Sequence, residues 1–150
     1  MASDFPIQYY TGTERGPMNE YFVPDAAAVI TPGELVVMES DEEIVECATD
    51  AVSILGIAKG ASADKFLWDN RIPVSIITPQ VEYGFCVDGT LASTHVNTAV
   101  GVKKLASGNW GLDLAEVTAQ AVLITKVDVP NQIAWGKFLA AVCQLDATAS

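Results

Sequence analysis

The stretch Phe85–Leu91, FCVDGTL, ends an apolar run with an Asp-Gly pair. A phosphoryl-transfer site on such a strand needs a nucleophilic carboxylate two residues before that pair, and Cys86 stands there instead. Asp88-Gly89 therefore reads as a turn after a strand. Cys86 and His95, the single histidine, form the next candidate, a thiol nucleophile with its base. A reactive thiol needs a cationic neighbourhood to lower its pKa, and the residues around Cys86 offer none, so a structural cysteine and a loop histidine are expected. One histidine with Cys47, Cys86 and Cys143 gives no zinc spacing. Asp41, Glu42 and Glu43 attract cations, but their loop lacks the spaced oxygen ligands and central glycine of a calcium loop. No Gly-rich phosphate loop is present. The sequence therefore predicts a protein that is not an enzyme, with no catalytic, cofactor or metal residues. Trp68 and Trp110 lie near turns, either as interface anchors or as lids over the ends of a barrel.

The elements that would position these residues are short strands. Between Val29 and Gly60, three apolar runs (Glu34–Met38, Glu43–Cys47 and Ile54–Ala58) are separated by turn signals. Pro32-Gly33 is the strongest signal, since proline presets φ and glycine accepts the positive φ of a type II turn. Arg71–Ile77 continues the pattern, and Pro73 places it at an edge or at a strand start. Val81–Val87 alternates, with Val81, Tyr83, Phe85 and Val87 on one face. Leu91–Val100 is either a short helix or a loop. Gly101–Leu105 and Trp110–Leu114 form a hairpin around a Gly-containing loop. Val122–Asp128 and Ile133–Val142 complete the set, the latter as the closing strand. The expected fold is mainly β: a small β-barrel or β-sandwich of about eight to ten short strands, with at most one or two short helices.

The bulk properties narrow the function classes. The chain of 150 residues suits one domain with a real core. Eight basic against 19 acidic residues give a net charge of −11. Such a surface repels phosphate backbones and anionic lipid, so neither nucleic acid nor membrane is an expected partner. The first residues lack the basic start and apolar core of a secretory signal, and an odd cysteine count points to reduced thiols in a cytosolic compartment.

Residues 1–25 differ from the rest of the chain, being rich in proline, glycine and aromatics without a sustained period. Phe5, Tyr9, Tyr10, Tyr21 and Phe22 are costly to leave in water. This segment reads as an extended N-terminal arm, laid on its own domain, on a neighbouring subunit or on a larger surface. Residues 26–145 form the β-rich domain, and 146–150 a loose tail.

The order of features resembles the head decoration (cement) proteins of tailed bacteriophages. The pieces that carry it are the aromatic arm, ITPGELVVM, SILGIAKG, RIPVSIITPQVEYGFCV, VGVKKLASGNWGLDL and IAWGKFLAAV, spanning about Thr11 to Val142. The resemblance, to the lambda-type members above all, implies a capsid decoration protein, made in the host cytoplasm and carried on the outer surface of the virion. It would bind the major capsid protein, assemble as a homotrimer and stabilise the head by bridging capsomers. Phe5, Ile7, Tyr9, Tyr10, Tyr21 and Phe22, with Trp68 and Trp110, are then the expected capsid or subunit contacts. Alternatives are a tail- or tube-associated β-barrel subunit, a small-ligand-binding barrel with a pocket lined by Tyr83, Phe85 and Trp135, and a hydrolase using Cys86 or Asp88.

Overall fold

The computed structural model describes residues 5–11, 19–64 and 70–147. The fold is mainly β, as expected, and sandwich-like. Twelve strands lie among the described residues: β1 (Gln8–Thr11), β2 (Asn19–Phe22), β3 (Leu35–Met38), β4 (Ile44–Glu46), β5 (Gly56–Ala58), β6 (Ile72–Ile76), β7 (Glu82–Phe85), β8 (Val87–Asp88), β9 (Ala99–Lys104), β10 (Trp110–Asp113), β11 (Val122–Asp128) and β12 (Ile133–Phe138). Single 3-10 turns lie at Ser62–Asp64, Ser93–His95 and Ala140–Val142, and one short helix, α1, spans Gln144–Ala147. The count exceeds the expected range because the arm supplies β1 and β2, and because Val81–Val87 is broken at Cys86 into β7 and β8.

The strands form two sheets. The larger has seven strands in the order β1-β7-β12-β11-β9-β10-β8, and the smaller five in the order β2-β6-β5-β3-β4. Both roll up on themselves by the same device. In the larger sheet β8, which continues β7, runs parallel to β10 at the far side, with Leu112 opposite Val87. Leu112 N donates to Cys86 O at 3.0 Å, and Leu114 N to Asp88 O at 3.2 Å. In the smaller sheet the chain leaving β2 meets β4 in parallel at Pro24 and Ile44. Ile44 N donates to Val23 O at 3.0 Å, and Asp25 N to Ile44 O at 2.9 Å. Proline suits this seam because the position makes no demand on its missing N–H. Gly111 is required at the other seam, since a Cβ there would lie 2.6 Å from Cys86 O and 2.9 Å from its sulfur.

Alternation along the strands of the smaller roll divides its apolar residues between two cores. Val36, Leu55, Ile72 and Val74 fill its interior with Ile30 and Ile44. Leu35, Ile57 and Ile54 face the larger roll and join its core. That larger core holds the big side chains: Tyr83, Phe85 and Phe138 meet edge to face, with ring centroids 5.5–6.4 Å apart. Edge-to-face contacts of this kind add to the stabilisation from burial alone.

Further connections tie the rolls together. Ile54 N donates to Val142 O and Gln144 N to Ile54 O, both at 2.8 Å. The Gln144 side chain pairs with both backbone groups of Met38, at 2.8 and 2.9 Å. Lys104 on β9 reaches Glu34 and Glu46 of the smaller roll, each at 2.8 Å. Burial alone would raise the Glu34 carboxyl, but the ammonium of Lys104 and the N–H of Thr31 outweigh it and hold that carboxyl below its ordinary range.

Some expectations are refined. β6 is not an edge strand: β2 covers its outer side, with Tyr21 opposite Pro73, and the proline is the second residue of the strand. The last apolar run stops as a strand at Phe138 and turns through a 3-10 segment. β12 lies in the middle of its sheet, between β7 and β11. Leu91–Val100 is a loop with one 3-10 turn rather than a helix, and its last two residues, Ala99 and Val100, already belong to β9.

Candidate functional site

The cysteine and histidine candidates are not assembled into a site. Cys86 is fully buried at the seam of the larger roll, its sulfur 3.4 Å from Phe5 O and 3.7 Å from Trp110 O. His95 is used locally, its Nδ1 accepting from Ala92 N at 2.9 Å. Asp88 forms a surface ion pair with Lys103 at 3.1 Å. Burial, reinforced by the charge of Glu46, pushes the Cys47 thiol up to about 12, far from a reactive thiolate. All three cysteines are buried.

The expected ligand pocket of Tyr83, Phe85 and Trp135 does not form. Tyr83 and Phe85 close the core against Phe138, whereas Trp135 belongs to the other face of the sheet, beneath the ammonium of Lys126 at 5.8 Å. Neighbouring positions on a strand point to opposite faces, and Trp135 is out of phase with the inward-facing Ala134, Gly136 and Phe138.

The candidate contact residues separate by burial. Phe5 is half-buried and Ile7 is 4% exposed; both belong to the body of the larger roll. Tyr9 and Tyr10 lie in β1, which pairs with β7. Trp110 is no surface anchor: it is 1% exposed, and its Nε1 donates to Glu46 at 3.0 Å. A carboxylate acceptor on the inner side gives the indole N–H the partner it needs, so the ring turns inward. Trp68 lies outside the described residues. Phe22 is half-buried against the smaller core, and Tyr21 is largely exposed, at 53%.

Tyr21 and Phe22 open onto a groove of about 460 Å3 at one end of the smaller roll. Val23 and Met38 complete its apolar part, while Asp41, Glu42, Glu43 and Arg71 form the rest of its wall. The β3–β4 turn is shaped by Glu43 N donating to Asp41 Oδ1 at 3.1 Å, with Glu42 at φ +68°. The parallel seam at Pro24 then brings Asp25 onto the same turn. One oxygen each of Asp25, Asp41 and Glu43 lies within 4.8 Å of the others. Glu39 joins them: slight desolvation, a hydrogen bond with Asp25 and the charges of Asp25, Asp41 and Glu43 raise its carboxyl above the ordinary range. The acidic turn was visible in the sequence, but Asp25 and the apolar floor were not, because only the seam places them there.

No protein-family model matches the chain, and no curated protein matches it.

Proposed function

We propose that the protein is a non-enzymatic structural subunit that binds the outer surface of a phage head and stabilises it by bridging capsomers, acting as a trimer. The observation that carries this reading is the course of the arm. It supplies the terminal strand of each sheet, β1 on the larger roll and β2 on the smaller, and it presents Tyr21 beside the groove. Terminal strands are where a partner chain adds by backbone pairing, and exposed tyrosines anchor such contacts. Weak contacts of this kind, repeated over a symmetric lattice, sum to firm attachment. The net charge of −11 keeps the free subunit dispersed while it accumulates.

The test is the copy number of the protein in purified particles from its source, relative to the major capsid protein. A number comparable to that of the shell protein is expected. A few copies per particle would transfer the role to a tail or tube component, and absence from particles would overturn it. Because Ile7 is part of the core, deleting the arm would unfold the domain, so Tyr21→Ala is the informative variant. Its loading onto particles is expected to fall at least tenfold with the fold intact.

A further inference from the structure

We infer that the turn carrying Asp50 is a proton-operated joint between the two rolls, which tightens when the Asp50 carboxyl takes up a proton. Its response to acid is opposite to that of the Lys104 link, which lies two residues along the same strand. Nothing in it depends on attachment to a particle.

The joint is built by convergence of the backbone. Asp50 lies between β4 and β5 of the smaller roll, and its N–H donates to Val102 O on β9 of the larger at 2.8 Å. Two further acidic residues reach β9 at the same place. Asp113 on β10 pairs with Gly101, and Gly101 N donates to Glu116 O at 2.9 Å. The missing side chain of Gly101 lets the Glu116 loop lie close, since a Cβ there would fall 2.6 Å from the Glu116 side chain. Asp50, Asp113 and Glu116 thus arrive from separate segments at Gly101 and Val102. Lys103 stands beside them, with its ammonium held by Asp88 of β8 at 3.1 Å.

Of these groups, the Asp50 carboxyl bears the conflict. Its Oδ1 is shut off from water and meets no hydrogen-bond donor among the described residues. A buried acceptor without a donor is costly, most of all when it is charged. Desolvation first, then the charges of Glu116 and Asp113, outweigh Lys103 and raise this carboxyl above its ordinary range. The ionised form therefore opposes the joint at neutral pH, and the opposition fades as pH falls through the folded value. Protonation removes the charge and gives the carboxyl an O–H to donate. Glu34 behaves in the reverse sense, because Lys104 holds its carboxyl below the ordinary range and acid releases it. The backbone at Asp50 has φ +62°, which aspartate and asparagine both tolerate. Asp50→Asn therefore keeps the turn and removes the charge.

The experiment compares the full chain with Asp50→Asn by amide hydrogen exchange, followed by NMR from neutral pH down through the carboxylate range. Each rate is corrected for its intrinsic pH dependence and referred to the amides of β12, so that changes in global stability divide out. Protection of the wild-type Asp50 amide is expected to rise at least about threefold on acidification. In Asp50→Asn it is expected to be high already at neutral pH and to stay level. The side-chain carbon of Asp50 is expected to titrate above the ordinary aspartate range. Glu116→Gln, which can still accept from Ala119 N, is expected to bring that titration down. Wild-type protection that stays level or falls with acid would overturn the inference. So would an equal pH response in Asp50→Asn, or titration of Asp50 at or below the ordinary range.

Discussion

The two rolls bend back on themselves in the same way and are filled differently. In each, a strand bends and its continuation pairs in parallel with the opposite edge, at Cys86 in the larger roll and at Pro24 in the smaller. The larger is packed with Trp110, Tyr83, Phe85 and Phe138, all at most 1% exposed. The smaller has an aliphatic interior and ends in a half-covered mouth at Phe22 and Met38. Wide rings fill the broad roll, whereas short aliphatics in the narrow one leave its end half-covered. The difference leaves one half of the molecule sealed by rings and the other half-covered at its mouth.

The largest effect is expected where the sealed core is broken. Phe138→Ala removes a ring that meets both Tyr83 and Phe85, and should cost about 4 kcal/mol in urea unfolding followed by tryptophan fluorescence. Lys104→Met should cost about 2 kcal/mol, because it strands the buried Glu34 without its cation, less than a fully buried pair because solvent screens the partly exposed ammonium. The pH dependence checks the cause. The Glu34 carboxyl is depressed in the folded protein, so its contribution is complete above the ordinary carboxylate range and is lost as pH falls through its folded value. The gap between wild type and variant should therefore narrow on acidification. Gly111→Ala, which forces a methyl group against Cys86 O, should cost about 2 kcal/mol and, if the seam is what yields, make the Cys86 thiol accessible to a thiol reagent. Met38→Ala, at the half-covered mouth of the other roll, should cost only about 1 kcal/mol. A cost equal to that of Phe138→Ala would erase the distinction between the rolls. The smallest effect belongs to Glu39→Gln. Because the Glu39 carboxyl is raised, its charged form is disfavoured by folding, so the variant should equal or slightly exceed wild type at neutral pH. That advantage should vanish as pH falls through the carboxylate range, as read from melting temperature.

Much of this was legible along the chain. Period-two alternation located β7, and the Pro32-Gly33 signal was right about its turn, with Gly33 at φ +95°. The hairpin of β9 and β10 turns at Gly108, at φ +97°, as its loop residues require. These features are local, and local propensity decides them. The seams were not legible, because nothing in Cys86 or Pro24 says which distant edge will meet it. The same blindness hid the link from Lys104 to Glu34 and Glu46, in which the partners are far apart in sequence. It also left Trp110 open between an interface anchor and a lid, a choice that its burial and its hydrogen bond to the distant Glu46 decide against the anchor. The arm lacks periodicity because its two strands are short and serve different sheets.

The position of β12 in its sheet bears on how the chain is made. Every strand of the smaller roll has been synthesised once Ile76 is complete, so that roll can close while the rest is still emerging. The larger cannot, because β7 and β11 are joined only through β12, among the last strands to appear. Until then β7 waits with Tyr83 and Phe85 uncovered, dependent on contacts of long sequence separation that form slowly. A nascent chain halted before Ile133 is therefore expected to protect β2–β6 from protease and to leave β7–β11 open to it. The smaller roll would be shaped before the body that carries it.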